Sequence, residues 1–418
     1  MNKIKNIVVL ICIVFSTDAL AQLGTSSPYS RFGMGDLQGI VSPEYNALGG
    51  GATALSNSKS INPANPASYT SFNANSFLFS TGGLHKTTNI QNLTDDQTVN
   101  NSSFSHLTIG FPLSRKIGAS IGMLPYSDIG YLISTRDESA AADMIYSGDG
   151  GVTKMYFGGA YEPIDGLSIG LNASYLFGGL NRRKKLVYDD ESFMNSRSNS
   201  KINLKGYYYE LGLLYETNLS KEKHISLGIT ANNNSSISAK RTSLVETFEF
   251  SGVNEIVKDT AENITEWGDL TLPQYISTGI SYRNGRKWLV VADYSLQNWK
   301  DYTLLDEGDD LSNSMRVSGG MQYTPDFNSV NKYYKRIEYR LGASYSNTPL
   351  TFNNTQLNEM SVSIGFGIPV KKSRTKYDIS LTAGQRGTTD NNLLKEQFLK
   401  FGLSVSYDGI WFVKRKYD

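Results

Sequence analysis

The sequence predicts an all-β protein, a transmembrane antiparallel β-barrel of about fourteen strands with an N-terminal hatch or plug segment. Three observations carry this prediction. Segments of about ten residues alternate apolar with small or polar side chains, which is the pattern of a strand between lipid and a lumen. The links between these segments are alternately short and long. No stretch after residue 22 holds the roughly 18 apolar residues that a membrane helix needs.

The hairpin at residues 272–299, LPQYISTGISYRNGRKWLVVADYSLQNW, shows the alternation in both of its strands. Ile276 and Ile280 fall on one side of the first strand, and Ser277 falls on the other. In the second strand, Asp293 falls on the small, polar side. A strand of a soluble β-sandwich has the same period of two, so this pattern alone leaves both folds open.

The links between segments favour the barrel over the sandwich. Short links follow every second segment, apart from a longer one near 324–333, and the alternate links are long and polar. Membrane barrels have short periplasmic turns and longer extracellular loops, whereas a sandwich has no reason to separate loop lengths. Residues 73–418 are therefore predicted to form the barrel. The long links cover 88–101, 135–146, 188–201, 241–272 and 304–313.

Composition and the N-terminus narrow the class of protein. The net charge is +1 and no basic stripe is interleaved with aromatic residues, which excludes a nucleic-acid partner. A basic start, an apolar run over 7–15 and Ala-Leu-Ala at 19–21 predict a signal peptide over residues 1–21. Cys12, the one cysteine, lies inside that run, so the mature chain is expected to hold none. We expect a barrel of the bacterial outer membrane, in contact with lipid and lipopolysaccharide.

Residues 22–72 lack the alternation and are rich in Gly, Ser, Asn and Pro. About fifty residues without regular structure are unusual in a compact protein unless they are flexible or functional. Two interpretations of this segment remain, a periplasmic tail and a plug inside the barrel. Lumen faces made mainly of Gly and Ser leave room for a plug, so we predict an N-terminal hatch segment.

The stretch LGGGATALSNSKSINPANPASY at 48–69 resembles the hatch of FadL-type outer-membrane transport proteins, in which Asn-Pro-Ala follows a Gly- and Ala-rich run. The hairpin at 272–299 is similar to a late hairpin of that family. By this resemblance the hatch motif falls on Asn65, Pro66 and Ala67, and Asn62 and Pro63 begin a near-copy just upstream. The opening SSPYSRFGMGDL and the ending WFVKRKYD resemble barrels of Bacteroidetes-type bacteria.

The resemblance implies a fourteen-stranded barrel closed by its N-terminal hatch. Members of the FadL family take up hydrophobic molecules, which move past the hatch and can leave through a kink in the wall. Another branch serves as a shuttle or structural subunit for protein secretion. The ligand-contact residues of the family find no counterparts that can be placed on this sequence.

One motif suggests catalysis and the histidines suggest metal binding, but a structural role explains each of them better. GLSIG at 166–170 matches a hydrolase pattern, but Ser168 lies inside an alternating segment rather than at a strand-to-helix turn. The histidines have no ligand-like spacing. We therefore predict no enzyme, no metal site and no cofactor. The histidines are His85, His106 and His224.

Charged clusters fall in the predicted loops. DEGDD at 306–310 and TDDQ at 94–97 lack the spacing of a calcium loop. NRRKK at 181–185 suits either lipopolysaccharide phosphates or a snorkelling rim, and both remain open. Asp293 is a lumen carboxylate that needs a partner, and we expect it to hold the hatch through a basic residue.

Two functions from different classes follow. The first is passive uptake of hydrophobic small molecules, with binding at loops 88–101 and 241–272 and passage past the hatch near Asn65. The second is a non-transport structural or accessory subunit of an outer-membrane complex for protein export or assembly, with other envelope proteins as partners. An outer-membrane hydrolase that uses Ser168 is a weaker third.

Overall fold

A computed structural model describes residues 26–39, 42–352 and 354–411, and the predicted signal peptide and residues 412–418 lie outside these ranges. One short α-helix, α1 (Pro43–Asn46), accompanies the 3₁₀ helices Pro28–Arg31, Pro66–Ser71, Trp299–Asp301, Tyr333–Arg336 and Asp390–Asn392. None of the described helices is long and apolar enough to cross a bilayer. The strands are β1 (Asp36–Leu37), β2 (Ser76–Gln91), β3 (Asp96–Pro112), β4 (Ile117–Asp137), β5 (Ala142–Ile164), β6 (Leu167–Tyr188), β7 (Asn195–Asn218), β8 (Lys223–Asn232), β9 (Ser236–Ser251), β10 (Asn254–Thr271), β11 (Tyr275–Asn284), β12 (Trp288–Gln297), β13 (Thr303–Leu304), β14 (Ser314–Tyr323), β15 (Glu338–Phe352), β16 (Thr355–Pro369), β17 (Thr375–Arg386) and β18 (Lys395–Ile410).

The described strands form a closed antiparallel barrel of fourteen wall strands, which confirms the predicted fold. Successive wall strands pair with each other, and β18 pairs with β2 to close the cylinder. Two wall strands are interrupted: β8 and β9 together form one, and β10 and β11 form the next. Strand β7 pairs with both β8 and β9, which shows that these two continue each other. The short strands β1 and β13 are not part of this count.

Side chains along the wall alternate between the outside and the inside as the sequence predicts. Ile276 and Ile280 are 45% and 48% exposed, whereas Ser277 between them is 2% exposed. Asp293 in the next strand is also buried. The apolar face therefore points outward, as lipid contact requires. Aromatic pairs such as Trp288 with Tyr323 lie near the end of the barrel that carries the short turns.

Four of the five predicted long loops are mostly strand, which corrects the sequence-based boundaries. The expected binding loop at 88–101 belongs to the β2–β3 hairpin, and the one at 241–272 belongs to the β9–β10 hairpin. Polar and charged residues make up most of these parts of the strands, so the apolar alternation weakens while the backbone pairing continues. The barrel is thus taller than its apolar belt at the end opposite the short turns.

The N-terminal segment, residues 26–75, contacts wall strands on opposite sides of the cylinder. The Gly49 amide donates to Ser363 Oγ on β16 at 3.2 Å. The Tyr69 hydroxyl donates to Asn172 Oδ1 on β6 at 3.0 Å. Because β6 and β16 are far apart around the wall, these contacts place the segment between the walls.

Close backbone contact with this segment explains the small residues on the inner face. A Cβ atom at Gly118 would lie 1.9 Å from the carbonyl oxygen of Tyr69, and one at Gly228 would lie 2.0 Å from that of Thr53. Neither distance leaves room for a side chain. The Gly-rich inner face is therefore the surface on which the N-terminal segment packs.

Candidate functional site

The pairing between β3 and β4 stops partway up the wall. The two strands share six residue pairs, from Pro112 opposite Gly118 to Leu107 opposite Met123. Beyond Leu107, β3 continues to pair with β2, and β4 continues to pair with β5. Pro125, just beyond the last pair, has no N–H to donate and is suited to a strand edge. A gap therefore separates residues 96–106 of β3 from residues 124–137 of β4.

Residues 26–39 of the N-terminal segment, here called the gap segment, lie along this opening. The Ser27 amide donates to the Gly130 carbonyl at 2.8 Å, and the Gln38 amide donates to that of Tyr126 at 2.9 Å. Strand β1, inside the gap segment, pairs with β4 between these two contacts. Asn101 Nδ2 on β3 donates to Ser26 Oγ at 3.0 Å. The gap segment thus satisfies the β4 edge that β3 leaves unpaired and also reaches β3.

A buried ion-pair network fixes the gap segment to the far side of the closure seam. Arg386 Nη1 on β17 donates to Asp36 Oδ1 at 2.8 Å, and Arg386 Nη2 donates to Glu396 Oε2 on β18 at 2.6 Å. Ser27 Oγ donates to the other oxygen of Glu396 at 2.5 Å. Removing one member of such a buried pair leaves an uncompensated charge, at a cost of about 3–5 kcal/mol. This network holds both ends of the gap segment in place.

A cavity of about 250 Å³ lies beside the gap segment inside the barrel. It extends from the β3–β4 gap across to β11, β12 and β14. Its walls combine apolar and hydrogen-bonding groups, which is the usual make-up of a small-molecule site. Lining residues include Leu37, Pro63, His106, Leu124, Pro125, Tyr126, Tyr208, Tyr275, Asp293 and Arg316.

The two Asn-Pro-Ala copies shape the turns of the N-terminal segment. Asn65 caps the 3₁₀ helix Pro66–Ser71 by accepting from the Ala67 amide, and its Nδ2 donates to the carbonyls of Thr53 and Leu213. Asn62 Nδ2 bridges the Ala52 and Leu55 carbonyls at 2.7 and 2.8 Å. Both asparagine side chains are fully engaged with backbone groups.

The prolines of these two copies also help to fix the turns. Pro66 opens its helix, where its missing N–H would have no partner. The Pro63 carbonyl accepts from Asn172 Nδ2 on β6 at 3.0 Å. All five residues that the resemblance marks thus lie within one compact turn against the wall.

Asp293 binds the N-terminal segment, but through backbone amides instead of the expected basic residue. Its Oδ2 accepts from the amides of Ala52 and Thr53 at 2.7 and 2.8 Å. Such charge-assisted bonds to N–H groups are stronger than neutral ones. The correction has a simple cause: the turn after the Gly triplet points two adjacent amides at Oδ2, which gives this oxygen two donors without a cation, while Oδ1 is buried without a hydrogen-bond partner among the described residues.

A second ion cluster lies near the short-turn end. Glu44 of α1 accepts from Lys376 Nζ at 3.1 Å, and Arg340 lies 3.5 Å from the same carboxylate. Burial would raise the pKa of Glu44, but the charges of Lys376 and Arg340 outweigh it and lower the pKa to about 2. Glu338 and Asp378 complete the cluster. Since two cations lie among the three carboxylates, the geometry is that of an ion-pair network that anchors α1.

The catalytic and metal candidates do not come together. Ser168 lies in β6, with no strand-to-helix turn, and its hydroxyl is 2.7 Å from that of Thr70. The histidines contact different groups: His85 meets Ser102, His106 meets Ser80, and His224 meets Asn218. Each thus has its own local polar partner.

Sequence reasoning missed the gap, the gap segment and both ion clusters. Pro125 inside an otherwise alternating strand was the available signal for the gap, since proline is confined to strand edges and bulges. Arg340 and Arg386 on the inner face were a second signal, because a buried arginine needs a carboxylate.

Comparison with known proteins gives a family and a fold. A family model described as BamG matches residues 3–418. The sequence matches no curated protein.

Several solved structures have a similar fold. The toluene transporter TodX of P. putida has a TM-score of 0.61 at 14% identity, covering 91% of this chain and 100% of that one. The toluene transporter TbuX of Ralstonia pickettii has 0.60 at 15%, covering 88% and 97%. A FadL homologue of Pseudomonas aeruginosa has 0.59 at 9%, covering 89% and 99%. The resemblance to FadL-type proteins is therefore confirmed for the fold, while the family that the sequence matches carries another name.

Proposed function

The chain belongs to the BamG family, and from this premise we propose that it is a barrel of the bacterial outer membrane that takes up small hydrophobic molecules passively. Its fold, shared with toluene transporters and a FadL homologue, supports the membrane and the class of cargo. The observation that carries the proposal is the early end of the β3–β4 pairing beside a lumen cavity.

In this proposal the N-terminal segment is the hatch, and the gap segment is its moving part. A hydrophobic molecule enters from the end with the tall hairpins and collects in the cavity. It then leaves sideways between β3 and β4 when the gap segment moves away from the β4 edge. The turn around Asn62, Pro63, Asn65, Pro66 and Ala67 stays against the wall, because its asparagines are bonded to backbone groups.

A disulfide across β1 and β4 tests the sideways exit. Leu37 lies opposite Ser127 in an antiparallel pair, where Cα atoms are about 4.5–5.5 Å apart, within disulfide range. We expect Leu37→Cys with Ser127→Cys to abolish toluene uptake into proteoliposomes when oxidised and to restore it when reduced. The matched control is Thr87→Cys with Asn100→Cys, which joins β2 to β3 without crossing the gap.

Two results would overturn this function. One is unchanged toluene uptake by the oxidised Leu37–Ser127 pair in a barrel that transports toluene. The other is the absence of any uptake above protein-free vesicles for the unmodified barrel.

The second candidate function is that of an accessory subunit of an outer-membrane complex, and the exposed edge of β10 favours it. Strand β10 pairs with β9 on one side, but on the other only its last three residues, 269–271, bond to the chain at 303–305 within the part of the chain that the structure describes. This long edge carries exposed Ile264 and Trp267. Unpaired edges with apolar side chains are sites where another chain can add a strand. Membership in a family named apart from the channels is consistent with such a role.

Purification from native membranes separates the two functions. We expect an accessory subunit to co-purify in mild detergent with a partner in fixed stoichiometry, and the partner to be lost on Ile264→Lys with Trp267→Lys. Lys201→Ala, at an exposed position of β7, is the control and should keep the partner. A barrel that purifies alone, or a partner that the edge variant retains, would rule this candidate out.

A further inference from the structure

A second, smaller chamber of about 130 Å³ lies on the other side of the gap segment. It is bounded by β1, by the closure seam between β18 and β2, and by the upper part of β3. Residues 37–39 and Arg316 border both this chamber and the larger cavity. The chamber has room for a few water molecules or one compact ion, since a water occupies about 30 Å³ in the liquid.

Two lysines face each other in this chamber. Lys86 of β2 and Lys400 of β18 are direct cross-strand partners, and like charges in that position destabilise a sheet. Neither ammonium forms an ion pair or hydrogen bond with the described residues. Both ammonium groups lie over the ring of Phe398, at 5.1 Å from its centroid for Lys86 and 6.0 Å for Lys400. Both side chains are partly buried, so this repulsion is only partly screened by solvent.

The charges around the lysines do not balance. Arg316 adds a third positive charge, and among the described residues its guanidinium donates to neutral groups only, the Gly49 carbonyl and the Ser344 hydroxyl. Arg386 and Asp36 also border the chamber and pair with each other, and Arg386 also pairs with Glu396 of β18. Glu359 is the remaining lining carboxylate. Lys86, Lys400 and Arg316 together outnumber this carboxylate, so the groups that line the chamber carry a net positive charge.

We propose that this chamber is a binding site for a phosphate group, held by Lys86 and Lys400 with help from Arg316. A phosphate monoester carries a charge of about −1.5 to −2 at neutral pH and three strong acceptor oxygens, so it can bond all three cations, whereas a carboxylate has one charge and only two oxygens. Lysine binds phosphate as a point charge, and its flexible stem lets both ammonium groups converge on one anion. The ligand is either a free phosphate or the phosphate headgroup of a lipid, and the site is independent of the uptake of apolar molecules.

Thermal unfolding of the full-length barrel in a non-ionic detergent and phosphate-free buffer tests the site. We expect inorganic phosphate to raise the Tm of the unmodified protein, because a ligand that binds only the folded state stabilises it. In Lys86→Met and Lys400→Met the phosphate effect should vanish. Each of these variants should also have a higher Tm than the unmodified protein without phosphate, because the repulsion is gone. Lys205→Met, on the exposed face of β7, is the control and should keep the phosphate response.

Titration with dihexanoyl phosphatidic acid below its micelle concentration, read out as the same Tm shift, distinguishes the two sources. A response to this lipid alone assigns the site to a lipid headgroup, and a response to inorganic phosphate assigns it to free phosphate. The proposal is overturned if neither raises the Tm, if acetate raises it as much, or if the lysine variants respond as the unmodified protein does. Loss of stability in both lysine variants without phosphate would also overturn it, since the lysines would then be structural.

Discussion

Replacing Asp293 should release the N-terminal segment from the wall. Its Oδ2 holds the amides of Ala52 and Thr53, both buried. Asp293→Ala leaves two buried N–H groups without their acceptor, at about 1–3 kcal/mol each. The total is roughly 2–6 kcal/mol, and the lower limit already corresponds to about a 30-fold increase in the population of locally opened states. Water that enters the space vacated by the carboxylate would bring the cost toward the lower limit.

Asp293→Asn gives an intermediate case. An amide oxygen in the same place still accepts from the two N–H groups, but without the negative charge the bonds are about half as strong. Amide hydrogen exchange over residues 47–56 should therefore be slowest in the unmodified protein, faster in the Asn variant and fastest in the Ala variant. Single-channel conductance should rise in the same order.

Asp149→Ala is the matched control, because Asp149 bonds Asn181 and Arg183 of the wall and does not touch the N-terminal segment. It should leave both measurements unchanged. If Asp293→Ala showed the exchange pattern and conductance of this control, the carboxylate would not hold the segment and the argument would be refuted.

Three further predictions concern the packing of the same segment. Because the pKa of Glu44 lies at about 2, well below its unfolded value of 4.5, its roughly 3 kcal/mol of stabilisation is full above pH 4.5 and is lost as the pH falls toward 2; thermal unfolding should show this loss, and Glu44→Gln should flatten it. Gly118→Ala would push Cβ into the Tyr69 carbonyl and should lower the Tm, whereas Gly159→Ala, with nothing within 4 Å of its Cβ, should not; equal Tm values would contradict the packing. Asn65→Ala removes a helix cap and should cost at least about 1 kcal/mol in denaturant unfolding, and an unchanged midpoint would show that the cap is dispensable.

The barrel could be predicted because the alternation of side chains that defines each wall strand is a local property of the sequence. Each wall strand needs only a period of two, with lipid on one side and a packed lumen on the other, and the segment from 357 to 369 shows both. The same rule fails where the lipid ends. Residues 254–269 pair with β9 although their side chains are mostly polar and exposed, because backbone pairing does not depend on apolar side chains. The break between β8 and β9 at 233–235 was also missed, because the apolar positions on either side of the polar run 232–236 keep the same phase.

The contacts between the wall and the N-terminal segment were harder to predict, because they join side chains to backbone groups or to charges far away in the sequence. Alternation put Asp293 on the inner face with Ser277, and both are buried. The amides of Ala52 and Thr53 that meet the carboxylate carry no sequence signature, however, since every residue but proline has one. Arg386 and Asp36 are 350 positions apart, and only the closure of the barrel brings them together.

The separation of the two ion networks bears on how the proposed transport could occur while the lumen stays closed. Arg386 and Glu396 act on the gap segment, whereas Arg340 and Lys376 act on α1. Local opening follows the least stable unit, so loss of the first network would let the gap segment leave the β4 edge while the second network still holds α1. A sideways exit therefore needs no open pore along the barrel axis. If the proposed sideways exit is used, the unmodified barrel should pass toluene while conducting few ions, whereas a route past the N-terminal segment along the barrel axis would raise uptake and conductance together.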